Sequence, residues 1–392
     1  MAKDNFAWAC PFRLIYRAGA VVEVGNLIKE RNLKKALIVT DKGVRGSGAV
    51  GFVEESLKAV GVGYAIYDGV VGNPPIANVN DGLKVYFDKK CDCIVSVGGG
   101  SPIDVAKAIG MCATNGGAPE DYDIMTGKKF PPTIPMPFSI AVPTTAGTGS
   151  EATFFAVITD PARKYKMAVA GQIGFMDYAI LDPELSFGLP PDVTAATGMD
   201  ALTHAVECYT THFRLRNPMS DMTCKEAIRL ISGNLRQAVA NGNNVEARGN
   251  MLVASLMAGM SFVNGGLGLV HSLAHNLGAI YDIPHGIANA IILPHVMRYN
   301  MISDPQRFAE IAELMGENIT GLTVLEAADK SIQAVERLSK EIGIVTIADL
   351  GLNKDTIPEL AKAAYYDFQT QNNNRVTPAD YSDLVKILEA AW

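Results

Sequence analysis

The first 190 residues alternate short apolar runs with longer amphipathic stretches, without an internal repeat. The runs are "KKALIVTDKG", "GYAIYDGV", "CDCIVSVGGG" and "PFSIAVPTT". The stretches between them include Val50–Ala59 and a segment opening at Ile76. Apolar runs separated by helical segments of about ten or more residues predict βαβ units around a parallel sheet. "FFAVITD" and "KYKMAVAG" read as a hairpin added to that sheet, and "PFRLIYRAG" as an edge strand. After "ILDPELSFGLPPD" β-branched runs become rare. Segments rich in Ala, Leu, Met and Glu take over, with apolar residues at helical spacing. A boundary near Leu189–Asp192 is expected. It leaves an α/β domain with a parallel Rossmann-like sheet over 1–190 and an all-helical bundle domain over 191–392.

With 392 residues the chain is long enough for two domains of roughly 100–200 residues. The net charge of −7 argues against nucleic acid or an acidic membrane surface as partner, since both need a basic patch. Six cysteines without C-x-x-C spacing read as reduced core residues of a cytoplasmic protein. The N-terminal segment has no signal-peptide pattern. The most apolar run, Met251–Val263, is too short to span a bilayer and reads as a buried helix.

Two loops suit a nucleotide. "IVSVGGGSPIDVAK" is a strand, three glycines and a helix start, with Ser101 as expected N-cap, Pro102 at N1 and Asp104 at N3. Free N–H groups at such a start favour a pyrophosphate. The stretch is neither G-x-G-x-x-G nor a Walker loop. "VPTTAGTGSE" follows the fourth run with four hydroxyls, on Thr144, Thr145, Thr148 and Ser150. Asp41 ends the first run, where an acid accepts ribose hydroxyls and repels a 2′-phosphate, favouring NAD over NADP. Lys42 and Arg45 nearby soften that repulsion.

All six histidines lie between positions 204 and 295. "GMDALTHAVE" sets Asp200 and His204 four apart on one helix face. "HSLAH" does the same for His271 and His275, and "DIPHG" sets His285 in a turn. A carboxylate and imidazoles from several elements form an N/O donor set for Fe²⁺, Zn²⁺ or another divalent ion. His212 reads as a loop residue and His295 as structural. Cys208, two turns beyond Asp200, reads as packing or a further ligand.

The sequence resembles the iron-dependent (group III) alcohol dehydrogenases, in the branch with lactaldehyde reductase and 1,3-propanediol dehydrogenase. The resemblance runs through "VTDKG", "VGGGSPIDVAKAI", "PTTAGTGSEAT", "PPDVTAATGMDALTHAVE" and "GLGLVHSLAHNLGAIYDIPHGIANAIILPHV", and covers essentially the whole chain. It implies a dehydroquinate synthase-like architecture and NAD(H)-linked, metal-dependent hydride transfer on a small primary alcohol, diol or aldehyde. It implies Asp200, His204, His271 and His285 as ligands of Fe²⁺, or of Zn²⁺ or another divalent ion, and His275 as the catalytic residue beside the reacting carbonyl. It places Asp41, Asn73, Gly99, Gly100, Ser101, Thr144, Thr145, Thr148, Thr153 and Lys166 at the dinucleotide, and Phe155, Val157 and Phe262 at the substrate. A homodimer or higher homo-oligomer follows from the family. Departures from the family pattern are Ile103, Phe154–Phe155 and "QNNNRVTP". The rival readings are a metal-dependent hydrolase or lyase acting on a phosphorylated substrate, which leaves Asp41 and the second loop unexplained, and a non-catalytic nucleotide-binding protein, which leaves the histidines unexplained.

Overall fold

In the computed structural model, residues 6–163 and 165–392 are described. The chain divides into two compact units, Cys10–Leu189 and Pro190–Trp392, and residues 6–9 group with the second. Sequence reading had kept 1–190 together. Ala9 instead joins the helical unit, its N–H donating to Asn264 Oδ1 at 2.9 Å and its carbonyl accepting from Asn264 Nδ2 at 3.2 Å.

The α/β unit contains eight strands: β1 Arg13–Tyr16, β2 Lys35–Asp41, β3 Gly63–Val70, β4 Cys93–Gly98, β5 Ser139–Pro143, β6 Phe155–Asp160, β7 Tyr165–Ala170 and β8 Tyr178–Leu181. Six of them form one parallel sheet in the order β1-β8-β5-β4-β2-β3. Both faces are covered, so each central strand is a continuous apolar run rather than an alternating one. In β2, Leu37 and Val39 face one core with Val79, Ile103 and Ile109, while Ala36 and Ile38 face the other with Ile28, Val53 and Leu57. Burying each large aliphatic side chain contributes about 1.5–3 kcal/mol.

Two expectations need correction. β6 and β7 pair antiparallel, from Phe155↔Ala170 to Asp160↔Tyr165, in a two-stranded sheet of their own rather than as an extension of the main sheet. The backbone of β6 points instead at the Gly100–Asn115 helix: Val157 N–H donates to Asp104 Oδ2 at 3.0 Å, and Phe155 O accepts from Lys107 Nζ at 2.9 Å. Ser101 is not the N-cap either. The helix starts at Gly100 with Gly99 as cap and without a side-chain cap, because Asp104 is taken up by Val157 and by the Ser150 hydroxyl.

The second unit is helical: Pro191–Tyr209, Pro218–Ala240, Val245–Gly265, Leu269–Tyr281, His285–Asn300 and shorter helices through Ala391. Asn217 and Asn244 cap two of these by accepting from Ser220 N–H (2.8 Å) and Ala247 N–H (3.0 Å). The Val245–Gly265 and Leu269–Tyr281 helices meet at 106°. Among the described residues, no single helix is long and apolar enough to cross a membrane. Gly286, at the start of the His285–Asn300 helix, lies so close to Ala196 O that a Cβ would overlap it. That approach draws the His285 helix onto the helix bearing Asp200 and His204.

Candidate active site

In the helical unit, Asp200 and His204 lie on the buried face of the Pro191–Tyr209 helix, 3% and 4% exposed. The 106° bend after Gly265 turns the next helix so that His271, 1% exposed, reaches them. His285 enters from the following helix start. One donor atom from each of Asp200, His204, His271 and His285 lies within 4.8 Å of all the others. The His204 and His271 rings stack at 4.7 Å, and His204 also meets the Phe262 ring at 4.6 Å. His275 is not one of the four. Its ring stacks on His285 at 5.2 Å and stands edge-on to His271 at 5.9 Å.

Burial drives the His271 imidazole well below its ordinary pKa, and the neighbouring histidine rings add to this, so the ring stays neutral with a lone pair to give. Asn289, fully buried, donates from Nδ2 to Asp200 Oδ1 at 2.7 Å, and the same nitrogen lies 3.1 Å from His285 Nε2 and 3.3 Å from His271 Nε2. Its Oδ1 has no hydrogen-bond partner. One carboxylate and three imidazoles, converging and all but His285 buried, fit a divalent first-row cation.

Glu207 escaped sequence reasoning. It follows His204 by three positions on the same helix face and is 6% exposed. Its Oε2 lies 2.5 Å from His271 Nδ1, and its Oε1 accepts from Val270 N–H at 2.6 Å. Burial raises this carboxyl, against the backbone N–H groups of Val270, Gly268 and His271, which favour its ionised form. The signal was present: Asp200, His204 and Glu207 share one helical stripe. Cys208, considered for that stripe, instead packs against Cys224 and Gly265. The "QNNNRVTP" segment also has a structural reason. Asn374 exchanges amide hydrogen bonds with Asn300 (2.9 and 3.1 Å) and accepts from Leu269 N–H at 3.3 Å, which fixes the start of the His271 helix. His212 lies in a loop, its N–H bonded to Asn373 O, and His295 lies on the His285–Asn300 helix.

In the α/β unit, β2, β4 and β5 are neighbours, and their carboxyl ends bring Asp41, Gly99, Gly100, Ser101, Thr144, Thr145 and Thr148 to one edge of the sheet. That edge is where open parallel sheets bind ligands. The two loops touch. Thr144 N–H donates to Gly98 O at 3.0 Å, and a Cβ on Gly100 would come within 2.7 Å of Thr148 Cγ2. Only glycine lets the threonine loop lie against the first helical turn. Asp41 caps its own turn, accepting from Val44 N–H at 2.8 Å. Arg45 is paired with Asp68 at the surface. Ile103 is 1% exposed in the core.

Asn73 adopts a left-handed conformation (φ 50°), and its Oδ1 accepts from Lys166 Nζ at 2.9 Å. Thr153 is 1% exposed and held by Lys107 Nζ at 2.8 Å. Phe155 and Val157 are half-buried on β6, and the Phe155 ring meets Phe154 at 5.7 Å. Lys107, fully buried, also donates to Ser150 Oγ at 2.9 Å and pairs with Asp104 at 3.7 Å.

Comparison with known proteins accounts for both units. Residues 11–183 match the family model "Iron-containing alcohol dehydrogenase", and 194–392 match "Fe-containing alcohol dehydrogenase family, C-terminal". The chain is 48% identical over 378 residues to 1,3-propanediol dehydrogenase of Klebsiella pneumoniae, covering 96% of each chain. It is 44% identical over 374 residues to NAD-dependent methanol dehydrogenase of Bacillus methanolicus, covering 95% of this chain and 96% of that one. Its fold superposes on a crystal structure of 1,3-propanediol oxidoreductase with TM-score 0.94 and 46% identity, over 99% of this chain and 100% of that one. These likenesses leave the hydrolase or lyase alternative without support. Nearly half of all positions are shared with one dehydrogenase along almost the full length of both chains, and the chain is an oxidoreductase belonging to the iron-containing alcohol dehydrogenase family.

Proposed function

We propose that the protein interconverts short aldehydes and the corresponding primary alcohols or diols with NAD(H), using a divalent ion, iron by family, held by Asp200, His204, His271 and His285. The observation that carries this reading is the convergence of those four donors within 4.8 Å. The names of the relatives, which act on 1,3-propanediol and methanol, support the substrate class, and one relative's name supports NAD.

In the reducing direction the C4–H bond of the dihydronicotinamide breaks and a C–H bond forms at the carbonyl carbon. The carbonyl oxygen takes a proton, and NADH leaves as NAD⁺. When bound, a divalent ion supplies Lewis acidity to the substrate oxygen. The chain's own residues do the rest. Gly99, Gly100 and Ser101 offer helix-start N–H groups to the pyrophosphate. Asp41 accepts the ribose hydroxyls and disfavours a 2′-phosphate. Thr144, Thr145, Thr148, Thr153, Asn73 and Lys166 complete the dinucleotide contacts. Phe155 and Val157 in the α/β unit, and Phe262 in the helical unit, are the apolar side chains assigned to the substrate and suit short uncharged chains. His275, beside the donors but not among them, holds the proton that the product oxygen takes.

Cys91, Cys93, Cys112, Cys208 and Cys224 are buried thiols outside any disulfide, which supports a cytoplasmic setting. β1 lies at the sheet edge with Leu14 and Tyr16 each 45% exposed, which supports homodimer formation there. The test is to titrate Fe²⁺-loaded protein with NADH by fluorescence and then add short aldehydes. Saturable binding followed by NADH consumption is expected, and absence of NADH binding overturns the reading. His275→Ala is expected to keep its metal and slow turnover by about 10²–10⁴-fold.

A further inference from the structure

Glu207 has no part in the mechanism above, yet it is a buried carboxylate aimed at a ligand ring. His271 has two ring nitrogens. Nε2 faces the cluster, 3.3 Å from Asn289 Nδ2, and Nδ1 faces away, 2.5 Å from Glu207 Oε2. A neutral imidazole carries one proton, and only the nitrogen without it has a lone pair to give. A carboxylate at Nδ1 takes the N–H there and leaves Nε2 bare. The second carboxylate oxygen accepts Val270 N–H at 2.6 Å, the residue just before His271. A Cβ on Gly268 would lie 3.1 Å from Oε1, so the chain passes close against the carboxylate. Glu207 therefore grips both the ring and the helix start that carries it, and does so from the helix that bears Asp200 and His204.

We propose that Glu207 is a positioning residue of the metal centre, fixing the His271 tautomer and orientation that turn the Nε2 lone pair toward Asp200, His204 and His285. The proposal rests on the ligand set argued under Proposed function. A purely structural role, capping the helix at Val270, needs only one oxygen. Glu207→Gln separates the two roles. Gln keeps an oxygen for Val270 but presents an N–H to His271 Nδ1, which drives the ring proton to Nε2.

The experiment is competition for Co²⁺ or Zn²⁺ with a calibrated chelator, run on wild type, E207Q and His271→Ala, with melting of each metal-free protein alongside. E207Q is expected to bind metal about 10–100-fold more weakly while its metal-free melting temperature is not lowered. H271A is expected to lose binding altogether. Affinity of E207Q within threefold of wild type, with H271A metal-free, overturns the positioning role and leaves the ligand set standing. Unchanged affinity in both variants overturns the ligand set itself. Where E207Q does not fold, long-range ¹H–¹⁵N NMR of histidine-labelled, metal-free wild type decides: a proton on His271 Nδ1 is expected, and one on Nε2 overturns the proposal.

Discussion

Each unit buries a polar cluster around a charged group, and the two are built in opposite ways. In the α/β unit Lys107 carries its own positive charge into the core and satisfies it there, with three hydrogen bonds of 2.8–2.9 Å to Ser150, Thr153 and Phe155 O and an ion pair to Asp104. Burial lowers this ammonium to about 8, against the pull of Asp104 and Glu151, and raises the Glu151 carboxyl to about 7. In the helical unit Asp200 meets three imidazoles and an amide whose oxygen has no partner. The first cluster is electrostatically closed and ties elements together. The second presents lone pairs and a negative charge that only a cation from outside can neutralise. Buried charge alone therefore does not mark a reactive site; what marks it is a set of donors the chain does not itself complete.

The largest effect that separates the clusters is expected from Asp200→Ala. Metal content by elemental analysis falls to background, and aldehyde turnover drops by about 10³-fold or more, the scale of losing Lewis-acid stabilisation. Stoichiometric metal in the variant breaks the distinction. Lys107→Met is next: it leaves Asp104 buried without its cation and lowers folding stability by about 3–5 kcal/mol in urea. Metal stoichiometry of the folded K107M protein is unchanged, and parallel loss of metal merges the two clusters into one system.

Adding metal to about 100 times its Kd is expected to stabilise wild type by about 2.7 kcal/mol in thermal melts, and D200A not at all. The smallest effect is in pH. The folded value of Glu151, about 7, exceeds its ordinary 4.5, so the folded protein holds this proton more tightly. Its contribution is fully present below about pH 4.5 and is lost as pH rises through about 7, on the order of 1–3 kcal/mol. Glu151→Gln removes that slope from stability measured between about pH 5 and about pH 7; an unchanged slope assigns it to another group.

The legible parts of the fold were those with local causes. β2, β4 and β5 were readable because strands covered on both faces are uninterrupted apolar runs. β8 was missed because "YAIL" is only four residues long. The β6–β7 hairpin was visible from its pattern, but its partner was not, since a pattern names a strand and not its neighbour. The Ser101 cap failed because Asp104 is claimed by Ser150 and Val157, 46 and 53 residues away. At the metal cluster, helical spacing paired Asp200 with His204 and His271 with His275, and the resemblance supplied the choice of ligands. Glu207 was hidden because glutamates are common on helices and its partner His271 lies 64 residues on.

The tether between β6 and the Gly100–Asn115 helix has an evolutionary consequence. Asp104 holds the amide of Val157 and Lys107 holds the carbonyl of Phe155, so the helix grips this strand by its main chain. The side chains at 155 and 157 are not needed for that grip. Both positions can change identity while the strand stays anchored, so the apolar wall proposed there can vary in descendants of this sequence without the scaffold first having to re-evolve.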